Sequence, residues 1–155
     1  VSPVHDHDRN ATRGDVELRM TLSGELAAPS VARERLSGWL SGHRWPAAQQ
    51  DDLVLAVSEA VSNSVEHGYG VDHTGVVERG GLVEVHGVVV AGLDGRRSVV
   101  LTVVDHGSWR PPSAVRGNRR HGLPLMRACV ETLTVDGTEH GTTVLLRSRA
   151  VPPPA

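Results

Sequence analysis

Between Pro46 and the Gly68-Tyr69-Gly70 run lies the longest periodic segment of the chain, about residues 47–67. Val54, Val57, Val61 and Val65 recur there at helical spacing. A helix this long with one apolar stripe must bury that stripe against a broad apolar surface. The remaining sequence supplies such a surface as short strands. Val16, Leu18, Met20 and Leu22 alternate with polar residues, the period of a half-buried strand. Leu82–Val90 and Ser98–Asp105 read as two more strands, with Asp94-Gly95 between them as a hairpin signal. Thr132–Asp136 and Thr142–Ser148 read as a last pair, joined across residues 137–141.

Two further helices are expected. One opens at Pro29, places Val31, Leu36 and Leu40 on one side and stops at Gly42; the other covers about Leu123–Leu133. The order βαα–ββ–α–ββ predicts an α+β fold, a two-layer α/β sandwich with helices on one face of a mainly antiparallel mixed sheet. A single domain is expected over residues 15–149. Residues 1–14, with His5 and His7, and the Pro-rich 150–155 read as disordered tails.

Composition narrows the chemistry. The chain has no lysine, so it has neither the lysine of a P-loop nor a Schiff-base lysine nor the strand lysine of eukaryotic-type kinases. It also lacks G-x-S-x-G, H-E-x-x-H and any cysteine pair for zinc. Phe and Ile are absent, which leaves Val and Leu to fill the core. A net charge of −2 gives no reason to expect nucleic-acid binding, and no apolar run is long enough to span a membrane. Cys129 is the single cysteine and has no internal disulfide partner, so the expected compartment is the cytoplasm.

Four short segments carry candidate chemistry. In Ser58-Glu59-Ala60-Val61-Ser62-Asn63, Glu59 and Asn63 are four residues apart and project from one helix face. Asn63 can offer a hard oxygen to Mg²⁺, and Glu59 can take a proton from an attacking hydroxyl. Alone, the same spacing also fits a solvated helix face. Asp105 ends a strand, and Gly107 follows it closely. Together they suit a purine amino group approaching the backbone, or an ordinary turn. Arg119-Arg120-His121-Gly122-Leu123-Pro124 leads into a helix whose first N–H groups can bind phosphate, or whose start is merely basic surface. Gly141-Thr142-Thr143 places hydroxyls at the start of the last strand, either for a base pocket or as a hairpin exit.

In their order along the chain, E-A-V-S-N-S-V-E-H-G-Y, D-H-G, R-H-G-L-P-L-M and G-T-T resemble the four boxes of the GHKL (Bergerat-fold) ATPase/kinase superfamily. More narrowly, D-D-L-V-L-A-V-S-E-A-V-S-N-S-V-E-H-G and G-T-T-V-L-L-R-S-R are similar to its anti-sigma-factor serine kinases. The resemblance covers about Asp15–Arg149.

It implies Glu59 as general base, Asn63 as Mg²⁺ ligand and Asp105 as the adenine-recognising acid, with Gly107 beside it. It also implies Gly122 and Leu123 by the phosphates, Arg120 as a basic contact, Thr142 and Thr143 lining the base pocket, and 108–121 as an ATP lid. ATP and Mg²⁺ are the implied cofactors. A STAS-domain antagonist and a sigma factor are the implied partners, on a homodimer. A non-catalytic ATP-binding regulator and a histidine-kinase catalytic domain are the rival readings. Pro124 departs from the family pattern: it stands where a second glycine is usual and removes one amide donor to phosphate.

Overall fold

The computed structural model describes residues 16–68, 81–107 and 122–154. The expected tail 1–14, the lid 108–121 and Arg120 lie outside these residues. Strands β1 (Glu17–Ser23), β2 (Leu82–Ala91), β3 (Arg97–Asp105), β4 (Thr132–Thr138) and β5 (Gly141–Arg147) form one sheet in the order β1-β2-β3-β5-β4. Every pairing among the described strands is antiparallel. Helices α1 (Ala28–Gly42), α2 (Ala47–Asn63) and α3 (Gly122–Cys129) make the second layer, giving the two-layer α+β sandwich expected.

Strand alternation sorts the sheet into two faces. Leu18, Met20, Leu22, Val83, Val85, Val99, Leu101, Val103, Val144 and Leu146 are buried and meet the helices in one core. From α1 come Ala32, Leu36, Trp39 and Leu40, and from α2 Leu53, Val57, Ala60 and Val61. Val31, expected on the buried side of α1, is 42% exposed; the stripe runs through Ala32 instead. Gly87, in the middle of β2, lets α1 sit close. A Cβ there would come within 2.9 Å of Leu101 Cδ2 and 3.4 Å of the Trp39 ring.

Three boundaries differ from expectation. The third helix stops at Cys129 rather than Leu133, because Glu131 N–H bonds the Arg147 carbonyl at 2.9 Å and is drawn into the sheet. The long helix changes pitch after Asn63 and finishes as a π-helical turn, Ser64–Gly68. Residues 150–155 are not a free tail throughout: Val151 is buried and exchanges two backbone hydrogen bonds with Arg97, at 2.9 and 2.8 Å. An apolar side chain that finds both core and a strand partner overrides the Pro-rich local composition.

Candidate nucleotide site

Along α2 the core stripe passes through Leu53, Val57 and Val61, and Glu59 and Asn63 stand one turn apart at its margin, both half-buried. At this margin Asn63 Oδ1 is buried and has no hydrogen-bond partner among the described residues. An amide oxygen left in that condition costs about 1–3 kcal/mol, so its place in a native fold asks for a ligand. A neutral, hard oxygen facing a site of this kind suits Mg²⁺. The residue fits the ion that the sequence suggested.

The π-helical turn begins at the next residue. Ser64 is buried, and its hydroxyl acts on the Asp105 carboxyl, drawing its pKa down. Asp105 terminates β3 and is only 2% exposed. Its Oδ1 accepts from Gly107 N–H at 3.1 Å. Burial pushes this carboxyl above the ordinary value of 3.8; Ser64, Gly107, Thr142 and the nearby His106 pull the other way. The result is a desolvated acid held in a fixed orientation, able to accept from a donor brought to it.

Thr142 is the direct cross-strand partner of Asp105, so their side chains share the inner face of the sheet. Thr143 pairs with Val104 and alternates to the outer face with Leu145. The two threonines expected to line one pocket are thereby separated, and only Thr142 stands beside Asp105. Alternation is strict in this strand, so adjacent residues cannot serve one face.

Helix α3 packs on α2. At one end of the sandwich, the Arg149 guanidinium bonds the Ala128 carbonyl at 3.2 Å while the Arg149 carbonyl accepts from Gln49 Nε2 at 3.2 Å. The C-terminal end of α3 therefore lies by the start of α2. Pro124 falls in the first turn of α3, where an amide N–H has no intrahelical partner, so it fits the helix. The side chain of Leu123 packs against the core, which leaves only its backbone for a ligand.

The described structure thus gathers Asn63, Asp105, Gly107 and Thr142 at one end of the two layers; Gly122 is the first residue of α3. Two participants were not singled out from sequence. Ser64 sits inside the quoted box, but the acid whose pKa it lowers is on another element. Gly141 was grouped with the threonines, yet its own role is to let β5 pass the end of β3. It has φ +151°, and a Cβ on it would strike the Asp105 carbonyl oxygen.

A helical layer on one sheet face, with an asparagine on the long helix and a buried aspartate at the end of the central strand, defines a class of nucleotide-binding domain. Consistent with this, the histidine kinase-like ATPase domain family matches residues 22–148, and the chain belongs to that family. It is similar to the structure of the RsbU and RsbW domains of Rv1364c from Mycobacterium tuberculosis, with 30% identity over 86% of this chain and a TM-score of 0.64. The chain spans about a third of that protein's length (32%). It also matches the histidine kinase domain of the blue-light activated histidine kinase EL346 from Erythrobacter litoralis, at 22% identity over 67% of this chain and 48% of that one, with a TM-score of 0.44. Family membership makes this an ATP-binding domain of the kinase/ATPase type.

Proposed function

We propose that the domain is an anti-sigma-factor serine/threonine kinase, which transfers the γ-phosphoryl group of ATP to a hydroxyl on a STAS-type antagonist. The observation that carries this reading is the buried Asn63 Oδ1, unpartnered among the described residues and one turn beyond Glu59, at the same end of the fold as the desolvated Asp105. The similarity to a chain containing an RsbW domain supports the anti-sigma branch.

In this reading Asp105 accepts from the adenine amino group, and Thr142 borders the base. Asn63 holds Mg²⁺, which neutralises phosphate charge when bound. The start of α3, from Gly122, offers N–H groups to phosphate, and Arg120 adds positive charge. Glu59 takes the proton as the acceptor oxygen bonds to the γ-phosphorus. The bond from that phosphorus to the β,γ-bridging oxygen breaks, and ADP leaves with the electron pair. Without antagonist, the domain, as a homodimer, holds a sigma factor away from RNA polymerase. Unphosphorylated antagonist competes for the domain, and its phosphorylation ends the competition.

The test is incubation with γ-labelled ATP, Mg²⁺ and purified STAS-type antagonists. Label on antagonist serine or threonine, lost in Glu59→Gln with ATP binding retained, supports the kinase. Tight ATP and partner binding without transfer replaces it with a non-catalytic regulator. Label found on histidine points to the histidine-kinase reading.

A further inference from the structure

Helix α3 has eight residues, about 12 Å of rise, too few to hold a helical shape or a direction unaided. Its placement therefore depends on what it touches. Met126 and Cys129 are buried in the core, and Leu123 packs against it. Two hydrogen bonds among the described residues secure its C-terminal end. Glu131 N–H bonds the Arg147 carbonyl at 2.9 Å, and the Arg149 guanidinium donates to the Ala128 carbonyl at 3.2 Å. The second meets a last-turn carbonyl that has no intrahelical partner, and it sets a cation at the negative end of the helix.

Arg149 has a second hold. Its own carbonyl accepts from Gln49 Nε2 at 3.2 Å, in the first turn of α2. The segment bearing it is fixed to β3 on both sides. Before it, Ser148 N–H bonds the Val99 carbonyl at 2.9 Å, and Ser148 Oγ accepts from Val99 N–H at 2.8 Å. After it, Val151 exchanges its two backbone hydrogen bonds with Arg97. Arg149 thus stands on a strap pinned to the central strand, with its side chain on α3 and its main chain on α2.

We propose that Arg149 is a positioning residue: it sets α3 against α2, and so sets the start of α3 against the helix that carries Glu59 and Asn63. This deepens the proposed function and rests on its reading of the α3 N-terminus as a phosphate contact. The long α2 is buried along one side and cannot shift easily. The short helix is the part that can pivot. Small displacements of phosphate-holding groups relative to a metal ligand and a base weaken both binding and in-line transfer. Arg149 acts from the far end of α3, without touching the phosphates. The base is placed apart from it, since Arg97 and Val99 open β3 and Asp105 closes it.

The loss on mutation should follow the phosphates. In Arg149→Ala, ATP affinity in Mg²⁺ falls about threefold to tenfold, the loss of one hydrogen bond. Affinity for adenosine, which has no phosphate, is unchanged. Arg149→Lys keeps a cation and a donor, and recovers most of the ATP affinity.

The experiment titrates wild type, Arg149→Ala and Arg149→Lys with ATP by calorimetry and with adenosine by NMR shift changes, which follow weak binding. Thermal melts confirm folding. A loss for ATP alone, recovered by lysine and persisting at high salt, supports the assignment. A loss that high salt removes is a long-range effect of the charge and overturns it. Equal losses for ATP and adenosine mark Arg149 as a general stabiliser and overturn it, as does an unchanged ATP affinity; both leave the nucleotide site standing. If Arg149→Ala does not fold, Arg149→Met, which keeps the aliphatic stem and drops the donor and the charge, decides by the same comparison. A wild type that binds no ATP overturns the site reading itself, and this assignment with it.

Discussion

Gly141 and Asp105 meet backbone to backbone. Gly141 adopts φ +151°, and a Cβ on it would overlap the Asp105 carbonyl oxygen and lie 3.0 Å from His106 Cα. The obstructing atoms are main chain, so a side chain can be admitted only if β5 moves away from the end of β3. This contact fixes where Thr142 stands relative to the buried acid.

Gly141→Ala is therefore expected to destabilise the domain by about 2–4 kcal/mol, from unfavourable φ and the forced shift together. ATP affinity should fall in the same variant, because the displaced edge carries both Asp105 and Thr142. Urea denaturation and nucleotide titration check the two effects. A fully stable alanine variant would show that the strand edge relaxes freely.

Asp105 gives a pH prediction whose sign follows from its burial. Its carboxyl is raised above 3.8 in the folded protein, so the folded state binds the proton more tightly than the unfolded chain. The group's contribution to stability is then fully present below the ordinary aspartate value and lost as pH rises through the raised one. Asp105→Asn removes that titration. The stability of wild type minus that of the variant should decrease as pH climbs through this window, whatever its value at one pH. Denaturation curves of both proteins across the acid range measure it, and a rising difference would contradict the assignment of burial as the dominant influence.

Asn63→Ala separates ligand binding from folding. Because Asn63 Oδ1 makes no hydrogen bond with the described residues, deleting it breaks none of the hydrogen bonds they make. Stability of the nucleotide-free protein should change by no more than about 1 kcal/mol. The Mg²⁺-dependent gain in ATP affinity should disappear. Titrations with and without Mg²⁺ check this, and a gain that survives in the variant counts against Asn63 as the metal ligand.

Away from the site, Gly87→Val tests the packing of α1 on the sheet. Its first added carbon meets Leu101, Leu18 and the Trp39 ring, and the branches of valine have no room beyond them. A loss of about 1–3 kcal/mol is expected from overpacking. Thermal or urea denaturation reports it, and full stability in the valine variant would show that α1 can lift from the sheet at little cost. Gly87→Ala should cost less, since the nearest atom is the movable end of the Leu101 side chain.

Much of the architecture was legible because it is written locally. The alternation from Leu18 to Leu22, the Val54–Val65 spacing and the Asp94-Gly95 turn each predict an element that the structure contains, and Gly95 takes φ +81° there. The exceptions arise where a distant partner intervenes. Arg147 ends α3 early by taking Glu131 N–H, and Arg97 brings Val151 out of an expected tail. Asn63 could be nominated from its position one turn beyond Glu59, but nothing in that spacing reveals that its oxygen lacks a partner among the described residues. Thr142 and Thr143 look equivalent in sequence; only the register against β3 distinguishes them.

By itself the sequence determined the periodic elements, the absence of any lysine-based chemistry and the residue types available for a magnesium–nucleotide site. Tertiary structure alone decided that β5 inserts between β3 and β4, setting Thr142 opposite Asp105, and that a Cβ on Gly141 would strike the backbone of the same acid. The division has a physical cause. Helix and strand periods arise from how neighbouring side chains share one backbone, whereas strand order and buried hydrogen bonds depend on segments far apart in the chain, whose pairing leaves no mark on local spacing.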